Sequence, residues 1–153
     1  MKRSVAREIA VKLCFALSES LADPNLMLEQ LFDDDEYYAS LQEDDEIFSE
    51  KPDKKQRKYI TELVFGIAQH SAELDGYIEK YSTGWRFGRI SRTAVAIMKL
   101  AMYEILYMPD IPNSAAINEA IELAKRYEQP ETVSFVNGVL GSFSRAEIIE
   151  EHG

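Results

Sequence analysis

An all-α fold is what this 153-residue chain predicts, and three observations carry that reading. Apolar residues recur at intervals of three and four along most of its length, as one buried face of a helix requires. No period-two run bounded by turn residues competes, and no long internal repeat points to a solenoid. Prolines and small polar residues stand where helices would start, and a glycine stands where one would stop. With 46% hydrophobic residues, the chain can build a core without covalent staples, and residues 1–153 fit a single domain.

The first helix is predicted over Val5 to Leu21, where Val5, Ile9, Leu13 and Leu17 recur every four positions beside Ala6, Ala10, Val11 and Cys14. Asp23-Pro24 supplies an N-cap with proline at the first helical position, opening a short second helix through Leu26, Leu28 and Leu31 to about Phe32. Residues 33–50 form an acidic insertion interleaved with Tyr37, Tyr38, Leu41, Ile47 and Phe48, which fits a marginal third helix rather than pure disorder. After Lys51-Pro52-Asp53 the stripe Tyr59, Ile60, Leu63, Val64, Phe65 and Ile67 predicts a helix to about Gln69. Leu74, Ile78 and Tyr81 share one face of a short helix that stops at Ser82-Thr83-Gly84, a break expected to separate two halves. Ala94 to Leu106 has few charges and reads as the central buried helix. Asn113 or Ser114 is expected to cap a helix to about Tyr127, and Pro130 opens the last one through Val133, Val136, Val139 and Leu140.

Composition narrows the function classes. Cys14 is the only cysteine, so no intrachain disulfide forms and a zinc site lacks ligands. The apolar positions after the first residues are broken by Glu8, Lys12 and Glu19, which excludes a signal-peptide core, and no later stretch is long enough to span a membrane. A soluble cytoplasmic protein is expected. The net charge of −10 argues against nucleic acid until its distribution is read. Eleven acids and no base fall within residues 21–50, so the other 123 residues carry a net charge of +1. Residues 1–20 are at +2, 51–100 at +5 and 101–153 at −6.

Enzyme readings find little to build on. His70 and His152 are the only histidines; neither stands in a HExxH pattern or at a spacing that pairs with Cys14. His70 reads as a surface cap at a helix end. The clusters Asp33 to Glu36 and Glu43 to Glu46 lack the alternating ligands and turn glycine of a calcium loop, so a solvated acidic flap is the plainer reading. Asn118 and Asn137 have no titratable group for acid–base work and are expected to be buried hydrogen-bonders, with Gly138 permitting close helix approach. No catalytic residue, metal site or cofactor is predicted.

Two blocks are specific. Ile117 to Lys125 reads INEAIELAK and, about ten residues later, Phe135 to Leu140 reads FVNGVL, with a proline leading into the first. Together they resemble the signature of the NusB family, supported by Arg7-Glu8, Asp75-Gly76-Tyr77-Ile78, Trp85 with Arg89, and Ala101-Met102-Tyr103-Glu104. The resemblance covers nearly the whole chain except the acidic insertion. It implies a helical bundle of about seven helices in two packed sub-bundles, joined near the break after Tyr81. It implies a transcription antitermination adaptor that binds boxA-type RNA in nascent ribosomal transcripts with the ribosomal protein NusE, within the RNA polymerase antitermination complex. A homodimer that hides the RNA face is also known in the family. A related domain is fused to RNA cytosine methyltransferases, but this chain has no Gly-rich cofactor loop.

By position, the family's arginine-rich start matches Lys2, Arg3 and Arg7. Arg3 and Arg7 lie four residues apart and share a helix face that suits neighbouring phosphates, although two or three bases also suit an ordinary solvated helix start. Tyr81, Tyr127 and Phe135 match the aromatics that the family presents to RNA. Tyr81 and Tyr127 are expected to be exposed, while Phe135 reads equally as core or as stacking platform. Lys125 and Glu131, with Arg126, Thr132 and Ser134, surround these rings and suit hydrogen bonds to RNA or plain solvation. Where many members place an acid toward NusE at the start of the central helix, this chain has Ala94; Phe15 and Glu104 are either partner-facing or core. The rival reading is a protein-interaction module with weakened RNA binding, in which the acidic segment covers the basic face in cis.

Overall fold

The computed structural model describes residues 1–82, 84 and 89–148, so that Thr83, Trp85 and His152 lie outside the described residues. These contain eight α-helices and a 3₁₀ turn: α1 (Arg3–Glu19), α2 (Pro24–Asp33), α3 (Asp35–Asp44), the turn Glu46–Phe48, α4 (Lys54–Gln69), α5 (Ser71–Tyr81), α6 (Arg92–Tyr107), α7 (Asn113–Tyr127) and α8 (Pro130–Glu147). The contacts divide the chain into two compact units, Met1–Ala68 and Gln69–Gly153. The division falls before α5, not after Tyr81 as expected, because α5 packs against α6 and α8 and so belongs to the second unit.

In the first unit α1 buries Ile9 and Leu13 of the predicted stripe with Ala6, Ala10, Val11 and Cys14 beside them, leaves Val5 and Leu17 half-buried, and stops at Glu19. Ser20 turns to extended backbone and leaves Leu21 fully exposed. Asp23 caps α2 by accepting a hydrogen bond from the Asn25 N–H at 2.9 Å, with Pro24 in the first turn. The acidic insertion is folded rather than a solvated flap. Asp34 caps α3 through the Tyr37 N–H at 3.0 Å, and Asp35 and Glu36 in the first turn complement the helix dipole. Tyr38 is 1% exposed, meets Phe48 edge to face with ring centroids 5.8 Å apart, and donates its hydroxyl to the Glu50 carbonyl at 2.7 Å. Burial pushes that hydroxyl's pKa up to about 12.

The second unit is organised by α6, which buries ten residues from Ala94 to Ile105. Ser91 caps it by accepting from the Ala94 N–H at 3.0 Å. Helices α5, α7 and α8 all pack on α6, and α7 and α5 also pack on α8. The α7 start differs from expectation. Pro112, extended at φ −60° and ψ 140°, is the N-cap and Asn113 the first helical residue; no side chain caps the end. Past α5, Gly84 has φ +81°, a left-handed conformation that glycine adopts without steric cost.

If residues 33–50 are part of the first unit's core, Tyr38→Ala lowers stability in urea unfolding by about 3–5 kcal/mol. Tyr38→Phe, which removes one hydrogen bond, costs about 1 kcal/mol. A Tyr38→Ala protein as stable as the parent would show that the segment does not pack.

Candidate functional site

The last helix has two faces. Val136, Val139, Leu140 and Phe143 point inward and are buried. Glu131, Ser134, Phe135, Gly138 and Ser142 follow at steps of three, one and four, a second stripe that shares one side of the helix. With Tyr81 from the end of α5 and Val139 at its base, this stripe lines an open hollow of about 420 Å³. A Cβ added at Gly138 would meet nothing within 4 Å, so its missing side chain leaves space rather than permitting close helix approach. Asn137 and Asn118 are exposed, not buried hydrogen-bonders: each lies on the helix side away from the core.

Tyr81 is held in place from two sides. Its ring meets the edge of the fully buried Phe143 at 6.2 Å, and Tyr77 packs on the same Phe143 ring at 5.0 Å. Its hydroxyl donates to Glu147 Oε2, which also receives Lys80 Nζ at 3.1 Å. The Glu147 carboxyl is therefore held below its ordinary pKa, first by the Tyr81 hydroxyl, and the tyrosine is raised, first by the same bond. Tyr81 is thus half-buried, neutral and fixed at the rim, where full exposure was expected.

Of the sequence-predicted residues, Tyr81, Glu131 and Phe135 meet in this hollow, and Phe135 is half-buried, between core and platform. Lys125 and Tyr127, at the end of α7, do not line it. Both are exposed, Tyr127 at 41%, and Lys125 Nζ pairs with Glu122 at 3.3 Å. In the first unit Lys2 is exposed and precedes α1. Arg3 lies with its guanidinium 3.9 Å from the centroid of the Tyr59 ring and donates through Nε to Gln56 Oε1 at 2.9 Å. Arg7 is only 4% exposed, 5.8 Å from the same ring centroid. The two arginines do share a face, but that face packs on Tyr59, so the deeper one is withdrawn from solvent.

The remaining candidates sort themselves by burial. Ala94 and Glu104 are fully buried, so neither presents a side chain to a partner, and Phe15 is half-buried. His70 makes no side-chain cap; it stacks on Tyr107 at 4.3 Å, while the Tyr107 hydroxyl donates to Glu73 at 2.7 Å. The insertion's carboxylates take up nearby cations: Asp33 pairs with Arg57 at 3.3 Å, Asp45 with Lys12 at 3.1 Å, and Asp35 with Lys51. Sequence reasoning missed the lining roles of Gly138 and Ser142 and the anchoring pair Lys80 and Glu147. The three-and-four spacing onward from Glu131 was the available signal for the first two; nothing local marks the last pair.

Comparison with known proteins matches residues 4–145 to the NusB family model. The chain is 39% identical over 153 residues to the transcription antitermination protein NusB of Acetivibrio thermocellus, covering 100% of this chain and 95% of that one. It is similar to the solved structure of Thermotoga maritima NusB, with a TM-score of 0.72, 28% identity, and coverage of 99% and 96%. It also shares its fold, with a TM-score of 0.73 at 20% identity and coverage of 94% and 96%, with a structure of antitermination factors NusB and NusE in complex with double-stranded RNA.

The open space at Gly138 has a measurable consequence. Replacing a mid-helix glycine by alanine where no neighbour is met gains about 0.5–1 kcal/mol. Gly138→Ala should therefore raise the thermal unfolding midpoint, and a lowered midpoint would mean that the space is filled.

Proposed function

The chain belongs to the NusB family, and from that premise we propose that it is a transcription antitermination adaptor which binds boxA-type RNA of nascent transcripts together with the ribosomal protein NusE. The observation that carries this reading is the meeting of Tyr81, Glu131 and Phe135 around one open hollow. Single-stranded RNA is read by stacking unpaired bases on aromatic rings and by hydrogen bonds to base edges. A hollow of about 420 Å³ with two rings at its wall suits such a base. The Glu131 carboxylate repels phosphate but accepts from the exocyclic amine of a base, so it favours the base end of a nucleotide there. Exposed Tyr127 and Lys125 extend the RNA contact along α7. Lys2 and Arg3 bind phosphates, while buried Arg7 acts by packing on Tyr59 beneath Arg3.

In this reading residues 1–153 serve as one RNA-binding domain in the cytoplasm, as an adaptor in the RNA polymerase antitermination complex and not as a catalyst. No helix among the described residues is long and apolar enough to cross a membrane. NusE is met by side chains other than Ala94 and Glu104. A second reading, a protein-interaction module with weakened RNA binding, draws support from the burial of Arg7 and from the carboxylates on Lys12, Lys51 and Arg57. Under it the insertion shields cations in cis.

Titration of labelled boxA-type RNA and a scrambled control, with and without NusE, separates the two. The adaptor reading predicts preference for boxA-type RNA and a gain with NusE. Phe135→Ala or Tyr81→Ala should each cost about 1–3 kcal/mol of binding, the worth of one stacked base. Absence of discrimination and of any NusE gain would leave the second reading. In the same assay Asp33→Asn with Asp35→Asn should strengthen binding at low salt if the insertion shields the cations. Deletion of the insertion is the poorer test, because it removes Tyr38 and Phe48 from the core.

A further inference from the structure

The first turns of α4 concentrate positive charge. Lys51, Lys54, Lys55, Arg57 and Lys58 fall within eight residues and all are exposed. The first turn of α4 contains no acid, although a helix N-terminus disfavours cations. Asp53 is the cap: it accepts from the Gln56 N–H at 3.0 Å, that bond is the main reason its pKa is lowered, and with Glu50 it also holds the Met1 ammonium. Asp33 and Asp35 take Arg57 and Lys51. Among the described residues Lys54, Lys55 and Lys58 make no salt bridge within 4.0 Å, although Lys55 is near enough to help lower the Asp53 pKa. Charge gathered against the dipole lowers stability, which suits a surface kept for an anion.

This patch is continuous with the phosphate-facing end of α1. Arg3 rests on α4 itself, bonded to Gln56 and stacked on Tyr59, so Lys2 and Arg3 stand beside the same turns that carry the lysines. With Arg7 buried, α1 has few cations of its own to offer. The apolar neighbours Pro52, Tyr59 and Ile60 are buried, so the patch exposes charge with no aromatic or aliphatic anchor. A protein partner binds through such anchors; a phosphodiester chain needs only cations. Lys54 and Lys58 are separated by four residues, a rise of about 6 Å, the scale of a nucleotide step along an extended strand.

We propose that Lys54, Lys55 and Lys58, continuous with Lys2 and Arg3, form a track for the RNA backbone that adds sequence-independent affinity. It rests on the RNA-binding reading and extends it to α4. Salt sets the test. Wild type, a Lys54→Ala, Lys55→Ala, Lys58→Ala triple variant, and the same triple changed to arginine are titrated over a salt series with boxA-type RNA, its scrambled control and a uridine homopolymer. Each single-strand phosphate contact contributes about 0.7 to the slope of log affinity against log salt, so the alanine triple should be shallower by about 2. Its affinity at low salt should fall about tenfold or more for all three RNAs alike, with the ratio of boxA-type to scrambled unchanged. The arginine triple should keep the parent slope. Circular dichroism melts should show the alanine triple at least as stable as the parent, because it removes cations from a helix N-terminus.

An alanine triple with the parent's slope and affinities overturns the track and leaves these lysines for an acidic protein. A loss confined to boxA-type RNA also overturns it, since a backbone contact cannot discriminate. Equal binding of boxA-type and scrambled RNA counts against the antitermination reading alone, while the slope difference still decides the track. No RNA binding by the wild type ends both.

Discussion

The burial of α6 is the constraint on which the second unit depends. Ten of its residues are withdrawn from water, around most of its circumference, so α5, α7 and α8 must each supply an apolar face to cover it. A fully buried Leu, Ile or Met side chain contributes about 1.5–3 kcal/mol, and α6 holds Ile97, Met98, Leu100 and Met102 at 2% exposure or less. That demand fixes which way α8 turns. Val136, Val139, Leu140 and Phe143 go inward, and the stripe from Glu131 to Ser142 is left facing out as the wall of the hollow. Lys99 reinforces the arrangement: 12% exposed, it pairs with Asp75 at 3.0 Å and donates to Ser71 at 2.6 Å, tying α5 to α6. Tyr81, at the far end of α5, inherits its position from these contacts and from Phe143.

The first unit solves a different problem, the folding of a strongly acidic sequence. Four aspartates are spent at starts of turns, where a carboxylate accepts backbone N–H groups: Asp23 from Asn25, Asp34 from Tyr37, Asp45 from Ile47 and Asp53 from Gln56. Asp45 also pairs with Lys12, and Asp35 and Asp33 pair with Lys51 and Arg57. These surface pairs are individually weak, each about 0–1 kcal/mol. The aromatic pair Tyr38 and Phe48 ties the acidic segment to itself by buried apolar contact, and the carboxylates set where the helices begin. The same pairs offset the positive charge of Lys12, Lys51 and Arg57.

Much of this was legible in the sequence. The helices, their order and most boundaries follow from period and punctuation, since Asp23-Pro24 and Pro130 have unambiguous local chemistry. The α6 stripe announces itself by its lack of charge. The hollow was half legible: Phe135 and Tyr81 were marked by motif position, but their meeting depends on tertiary packing between helices some fifty residues apart. Arg7 was misjudged because i, i+4 spacing places two residues on a face without saying what that face packs against. Asn118 and Asn137 were read as buried because they sit inside apolar patterns, and Gly138 as a point of close helix approach, yet each falls on the outward side of its helix. The acidic insertion was underestimated because net charge obscured the placement of single aspartates as caps.

Under the proposed function the outward stripe of α8 and Tyr81 receive an RNA base. Amide and aromatic resonances of the full chain, followed by NMR as boxA-type RNA is added, test it most directly. The largest shifts should fall at Tyr81, Glu131, Phe135 and Gly138, with ring-current changes on the two aromatic side chains. Binding that leaves those four residues unmoved while shifting other helices would contradict it.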